Sequence, residues 1–241
     1  LTTAQVAAMT TGQVANLTAD QMAVVTTAQM AAMTTAQVVA LGTAQVAALT
    51  TAQLASMTTA QVSAMETADV AAITAEQLAK MTTTQVAAFT TAQVVALGTA
   101  QVAALTSSQL SNLTTAQIAS MEVADLAALT VDQLPKLTAD QMAALTTAQV
   151  VGLTTDQVPV LTTAQLAAMT TAQMSAMQVA DLQTLTTAQL AGLTTAQVSK
   201  LTTAQLAALS AKQVAAMETA DIAVITTAQL AGLTTAQMAG L

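Results

Sequence analysis

The chain has 241 residues, a formal net charge of −8, and no His, Cys, Trp or Tyr. The acidic balance excludes nucleic acid as a partner and gives an anionic membrane surface nothing to attract, because both need a basic patch. The absence of Cys excludes disulfides and thiolate metal sites. A polar residue interrupts every apolar run well before the ~20 residues that a membrane span requires, so no membrane insertion is predicted.

An eight-residue repeat begins at Leu1 and continues to the end of the chain without insertion or deletion, as one continuous array of thirty octads over residues 1–241. If each octad is numbered from its large apolar residue, positions 1 and 6 are always apolar, position 2 is mostly Thr, and positions 4, 7 and 8 are mostly Ala. Position 5 is Gln except in four octads, which carry Asp. Such a period predicts a solenoid in which each unit packs on its neighbours.

The octad reads as the start of a helix. In Thr2-Thr3-Ala4-Gln5 the spacing of Thr and Gln is that of a capping box, and Leu1 and Val6 fall where a hydrophobic staple forms. A continuous α-helix would spread the apolar residues around its axis, since eight residues overshoot two turns by ~80°. The sequence therefore predicts an all-α solenoid or superhelical rod of very short capped helices, with a β-solenoid as the alternative fold.

Residues at the end of the octad are compatible with short helices. Gly152, Gly192, Gly232 and Gly240 fall at position 8, where a left-handed residue is useful as a helix C-cap. Pro135 and Pro159 fall at position 7, as tolerated only near the end of a helix of one or two turns.

A longer repeat of 56 residues, or seven octads, overlies the short one, with starts near residues 34, 90, 146 and 202. The segment TTAQVVALGTAQVAAL begins at Thr34 and again at Thr90. Asp69, Asp125 and Asp181 keep this spacing, whereas Asp221 comes sixteen residues early. Seven octads are either one superhelical turn or the record of a duplication, and the early Asp favours duplication.

In the four Asp octads, position 2 is never Thr. The pairs are Glu66/Asp69, Glu122/Asp125, Gln178/Asp181 and Glu218/Asp221. Most octads have a short Thr at position 2 and a long Gln at position 5, whereas these four have a long Glu or Gln at position 2 and a short Asp at position 5. This exchange predicts that positions 2 and 5 contact each other, as a capping box requires.

No catalytic site and no cofactor are predicted, because the chain lacks His and Cys, and its Ser and Lys residues stand at varying repeat positions without a partner. The chain is therefore not expected to be an enzyme. No metal site is predicted either. The only candidate ligands, which would stack as a ladder if 56 residues made one turn, are weak ones: Glu66, Asp69, Glu122, Asp125, Asp181, Glu218 and Asp221.

The opening octad LTTAQVAA and the variant LGTAQVAA at Leu41 and Leu97 resemble the octapeptide arrays of very long bacterial secreted or surface proteins, often labelled adhesin-like. The resemblance covers the whole chain and implies an extracellular or cell-surface location. It implies a structural role as a stalk or the wall of a filament. It carries no functional residues with it.

The pattern has no polar terminal octads to close a stack, since Leu1 and Leu241 both stand in mid-pattern. The expected partners are therefore other copies of the chain, in an oligomer or filament, or flanking segments of a longer chain. The alternative function is ice binding, or binding to another surface, through the regular columns of Thr.

Overall fold

The computed structural model describes all residues from 1 to 241 and contains one short helix per octad. There are 28 α-helices, α1 to α28, and two 3₁₀ helices, and no strand. The all-α prediction is confirmed, and the β-solenoid alternative is wrong. The contacts of the chain divide it into two compact units, Leu1–Ala128 and Leu129–Leu241.

The first unit contains sixteen α-helices of five or six residues each. Their bounds are α1 Thr3–Ala7, α2 Thr11–Ala15, α3 Ala19–Ala23, α4 Thr27–Ala32, α5 Thr35–Val39, α6 Thr43–Ala47, α7 Thr51–Ser56, α8 Thr59–Ala64, α9 Thr67–Ala72, α10 Ala75–Lys80, α11 Thr83–Ala87, α12 Thr91–Val95, α13 Thr99–Ala104, α14 Ser107–Asn112, α15 Thr115–Ser120 and α16 Val123–Ala128.

The second unit contains the remaining α-helices and both 3₁₀ helices. Their bounds are 3₁₀ helix Leu134–Lys136, α17 Ala139–Ala143, α18 Thr147–Val151, 3₁₀ helix Val158–Val160, α19 Thr163–Ala168, α20 Thr171–Ala176, α21 Val179–Thr184, α22 Thr187–Ala191, α23 Thr195–Lys200, α24 Thr203–Ala207, α25 Ala211–Val214, α26 Thr219–Val224, α27 Thr227–Ala231 and α28 Thr235–Met238. The 3₁₀ helices contain Pro135 and Pro159, so proline replaces the second half of an α-helix by a tighter turn.

Each unit is a solenoid in which an octad packs against the octads three and four places away. In the first unit, α10 packs against α13 and α7, and hydrogen bonds connect residues 28 and 31 apart in sequence. The same spacings recur in the second unit. One turn of the solenoid therefore takes about 28 residues, or three and a half octads, so the 56-residue repeat corresponds to two turns and not to one.

The core of each unit consists of positions 1 and 6, as predicted. Val62 at position 6 is 0% exposed, and Met65 at position 1 of the next octad is 4% exposed. The methionines share these positions with Leu and Val and fill the same interior. Burial of two apolar side chains per octad is the main stabilising contribution to a stack of this kind.

The capping boxes form as predicted. Gln93 N–H donates to Thr90 Oγ1 at 3.2 Å, and Thr90 N–H donates to Gln93 Oε1 at 2.8 Å. The expected left-handed C-cap is wrong, since no residue has a positive φ. Glycine at position 8 instead relieves crowding from the previous turn. A Cβ at Gly192 would lie 3.2 Å from Thr163 Cβ, and one at Gly232 would collide with Thr203 Cγ2.

No helix of the structure is both long enough and apolar enough to cross a membrane.

Candidate functional site

A column of buried glutamines connects successive turns within each unit. Gln93 is 1% exposed, and its Nε2 donates to the carbonyl oxygens of Val62 at 2.9 Å, Ser63 at 3.4 Å and Met65 at 2.8 Å. These carbonyls lie one turn earlier, where helix α8 ends and the next octad begins. The two donors of one amide thus bond to backbone acceptors of the previous turn, of which the Val62 carbonyl also accepts from Met65 N–H at 3.2 Å.

The arrangement repeats throughout both units. The glutamines whose amides donate to carbonyls of the previous turn include Gln29, Gln37, Gln45, Gln53, Gln61, Gln77, Gln85, Gln93, Gln101, Gln109 and Gln117 in the first unit, and Gln157, Gln165, Gln173, Gln189, Gln197, Gln205, Gln213, Gln229 and Gln237 in the second. Each Gln therefore caps its own helix through Oε1 and binds the preceding turn through Nε2. The capping role was predicted from the sequence, whereas the second role was not.

The glutamines of the first three octads form capping bonds within their own helices. Gln5, Gln13 and Gln21 are exposed and form the capping bonds of their own helices. The apolar interior opens here into a cavity of about 310 Å³, lined by positions 1 and 6 of the first octads, among them Val6 and Met22. This face has the amide donors and the apolar surface that an octad of the same kind binds elsewhere in the unit.

Aspartate interrupts the column at four places. Asp69, Asp125, Asp181 and Asp221 are each 2–3% exposed, so they occupy the buried position of the glutamines. The Oδ2 atoms of Asp69, Asp125 and Asp181 are buried and accept no hydrogen bond, whereas Oδ2 of Asp221 accepts from Glu218 N–H at 3.3 Å. An Asp carboxylate is one methylene shorter than Gln and carries no donor, so it cannot satisfy the carbonyls of the previous turn.

Burial raises the pKa of these four carboxyl groups. The pKa of Asp69 rises to about 6, first because burial penalises the charged form and second because Glu66 is also negative. Burial likewise raises the pKa of Asp125, where the charge of Glu122 adds to the effect and a hydrogen bond from the Glu122 backbone opposes it. Burial alone raises the pKa of Asp181. Burial also raises the pKa of Asp221, against a hydrogen bond from the Glu218 backbone.

In the Gln178/Asp181 octad, the long residue at position 2 reaches the previous turn in place of the missing glutamine. Gln178 Nε2 donates to the carbonyl oxygen of Val151, 27 residues earlier, at 2.6 Å. The predicted contact between positions 2 and 5 is present in the Glu218/Asp221 octad through the backbone N–H of Glu218. In the Gln178/Asp181 octad the exchange of a short and a long residue therefore moves the bond between turns from position 5 to position 2, whereas the Glu at position 2 of the other three Asp octads has no donor for a carbonyl.

The weak candidate ligands named from the sequence could stack as a ladder only if 56 residues made one turn. Asp69 and Asp125 are 56 residues apart, which is two turns of the solenoid, so they do not lie on adjacent turns. The structure brings no three acidic side chains close enough together to hold a metal ion. The charged neighbours of Asp69 and Asp125 are Glu66 and Glu122 of their own octads.

These features define an all-α octapeptide-repeat solenoid whose turns are connected by glutamine side chains. The sequence pattern of the ALTTAQ repeat matches the chain seven times, at residues 22–59, 62–99, 83–115, 94–123, 118–155, 174–211 and 214–241. The matches cover most of the chain, and it belongs to the ALTTAQ repeat family. No curated protein matches it. Membership of a repeat family suggests a structural protein.

Proposed function

We propose that this array is an architectural element of a bacterial surface, serving as a stalk or as the wall of an extracellular filament. The single observation that carries the proposal is the bond between turns made by Gln at position 5, as at Gln93. Because nearly every octad makes it, octads are interchangeable and the solenoid is extended by adding more of them. The extracellular location rests on the resemblance to octapeptide arrays of bacterial surface proteins.

We propose that a further octad of the same kind covers the first turn, supplied by a second copy of the chain or by a flanking segment of a longer chain. Gln13 and Gln21 offer amide donors there, and the cavity beside them is apolar. The last turn offers the complementary groups, since Leu230, Met238 and Leu241 are 40–50% exposed.

Electron microscopy of the purified chain at low and high protein concentration tests self-assembly. We expect filaments at high concentration with a regular axial repeat, and dissociation on dilution. Discrete particles at both concentrations would contradict self-assembly and leave the stalk role. Immunogold labelling of intact cells that carry the protein tests the location, and labelling confined to the cell interior would overturn it.

A second candidate function is binding to ice or to another regular surface through Thr. The observation in its favour is that Thr at positions 2 and 3, such as Thr90 and Thr91, stays exposed in the folded chain. A purified chain that shows no thermal hysteresis would eliminate ice binding.

A further inference from the structure

We propose that the Glu66/Asp69 and Glu122/Asp125 octads each bind a divalent cation of the calcium type, held by oxygen atoms at the place where other octads put the glutamine amide. The inference concerns residues of the first unit alone. It stands apart from the structural role proposed above.

The ligands follow from what the glutamine does elsewhere. Gln93 Nε2 stands between three carbonyl oxygens that lie 28, 30 and 31 residues earlier. The same spacings counted back from Asp69 give the carbonyl groups of Leu41, Val39 and Val38. The Val38 carbonyl also accepts from Leu41 N–H at 3.1 Å within its own turn, but an ionised Asp69 offers none of these carbonyls the donor that glutamine provides.

The Asp carboxylates are the second element. Oδ2 of Asp69 and Oδ2 of Asp125 are buried and accept no hydrogen bond, in residues that are only 2% and 3% exposed. A buried carboxylate oxygen without a partner is costly, and most such atoms in folded proteins are paired with a donor or a cation. A cation at this point would satisfy Oδ2 and the carbonyl oxygens together.

The residue at position 2 supplies a second carboxylate. Gln178 shows that a long side chain at this position reaches the carbonyl oxygen 27 residues earlier, that of Val151. Glu66 and Glu122 stand at the same distance in sequence from Val39 and Val95. Glutamine can donate to such a carbonyl, whereas an ionised glutamate places a second acceptor beside it. A cation bound to both oxygen atoms would remove the repulsion between them.

The preceding turn differs from the usual octad at the same two places. Gly42 and Gly98 replace the position-2 Thr and lie 27 residues before Asp69 and Asp125, whereas Thr154 keeps this place before Asp181. A Cβ at Gly42 would have only Gln45 Oε1 within 4 Å, at 3.9 Å, so the space beside the backbone is open. The glycines therefore accompany the two octads that contain both Glu and an unpartnered Asp.

The negative charge of the two carboxylates favours a divalent cation. Each pair carries up to two negative charges, and no Lys or Arg occurs in residues 33–48 or 89–104, the octads one turn earlier. Calcium is bound by carboxylate, backbone carbonyl and water oxygens, six to eight in number, which matches two carboxylates, carbonyls and solvent. The raised pKa values of Asp69 and Asp125 agree with carboxyl groups that have no Lys or Arg side chain beside them.

Calcium titration by calorimetry, with a parallel measurement of the melting temperature, tests the proposal on the whole chain. We expect two equivalents to bind per chain and the melting temperature to rise with calcium concentration, since a ligand that binds only the folded state stabilises it. No heat and no rise in melting temperature up to about 10 mM, well above the ~1 mM dissociation constants of weak extracellular calcium modules, would overturn it.

Two variants localise the binding. Glu66→Thr with Asp69→Gln, combined with Glu122→Thr and Asp125→Gln, restores the usual octad and its bond between turns, so this variant folds and is expected to lose both sites. Glu66→Gln with Glu122→Gln imitates the Gln178/Asp181 octad, keeps the buried Asp and is expected to weaken binding about tenfold or more, because affinity follows the number of charged ligands.

Unchanged calcium binding in the first variant would show that scattered surface carboxylates bind the ion, and would overturn the proposal. A melting temperature that responds to pH and not to calcium would show that a proton alone occupies the position, and would overturn it equally.

Discussion

Gln93 Nε2 donates to the carbonyl oxygen of Met65, 28 residues earlier, while Oε1 of the same side chain accepts from Thr90 N–H in its own helix, each at 2.8 Å. One side chain thus closes a helix and connects two turns. Only an amide offers an acceptor and two donors at the end of a side chain of this length. This requirement explains why Gln rather than Glu occupies position 5.

The change Gln93→Glu tests this double role with almost no change in shape. Glutamate keeps the acceptor for Thr90 N–H but replaces the donor by an oxygen that faces the carbonyls of Val62 and Met65. We expect the free energy of unfolding to fall by about 2–4 kcal/mol at pH 7, because a buried charge loses its partners. Urea denaturation followed by circular dichroism measures the change.

Gln13→Glu is the matched control. Gln13 forms the same capping bonds, but it is exposed and belongs to the first turn. We expect a change within about 0.5 kcal/mol, as is usual for a surface substitution. If both variants lost the same stability, the bond between turns would have no energetic importance.

Thr at position 2 is predicted to contribute less than Gln at position 5. Thr58 and Thr90 accept from the N3 backbone N–H at 3.2 Å, and replacing both by Val is expected to cost about 1 kcal/mol per site. The control variant has Val at position 3 instead, in place of Thr59 and Thr91, whose side chains cap no helix. Equal melting temperatures of the two double variants and the parent would show that the capping hydroxyl is dispensable.

The capping box could be predicted from the sequence because it is local: Thr2 and Gln5 are three residues apart, and the geometry of a first helical turn determines their contact. The burial of Gln93 could not, because it depends on which carbonyls of the previous turn lie opposite. Which carbonyls lie opposite depends on the number of residues in one turn of the solenoid, and a single octad does not reveal that number. The longer repeat is consistent with that number, because its seven octads equal two turns of three and a half octads each.

The left-handed C-cap was wrong for a related reason. Gly192 has φ −88° and continues the helical region, and its Cβ would press on Thr163 from the previous turn. At Gly192 and Gly232 a residue without a side chain fits because another turn passes close to it. Local rules assign a glycine at this place to backbone freedom, whereas the solenoid uses it for space.

Stability is predicted to depend on pH through the buried aspartates. The pKa of Asp69 is about 6 in the folded chain against 3.8 for an ordinary Asp, so the folded state binds more protons between these values. The contribution of Asp69 to stability is therefore fully present below about pH 3.8, is lost as the pH rises through about 6 and no longer changes above it. The pKa values of Asp125 and Asp181 are also raised, so they act in the same direction.

Melting temperatures between pH 4 and pH 8, measured with a calcium chelator present, check this dependence. The variant with Thr and Gln in place of the Glu66/Asp69 and Glu122/Asp125 pairs provides the comparison and is expected to have a flatter profile. A parent chain that became more stable between pH 4 and pH 6 would contradict the raised pKa of Asp69.

Deletion of one whole octad tests whether octads are equivalent. Removal of residues 49–56 from the first unit leaves each later Gln facing another octad with the same carbonyls and the same apolar positions, so we expect the helix content per residue to stay the same and the melting temperature to change by only a few degrees. The chain offers its own precedent, because Asp221 follows Asp181 after 40 residues instead of 56, a difference of two whole octads.

Removal of residues 49–52 is the control. It shifts the eight-residue phase, places Gln53 where a core residue belongs, and is expected to unfold the surrounding turn, since a buried polar group without its partners is costly. Circular dichroism and thermal melting of the two deletions distinguish the cases, and equal losses of stability would show that particular octads have particular places in the fold.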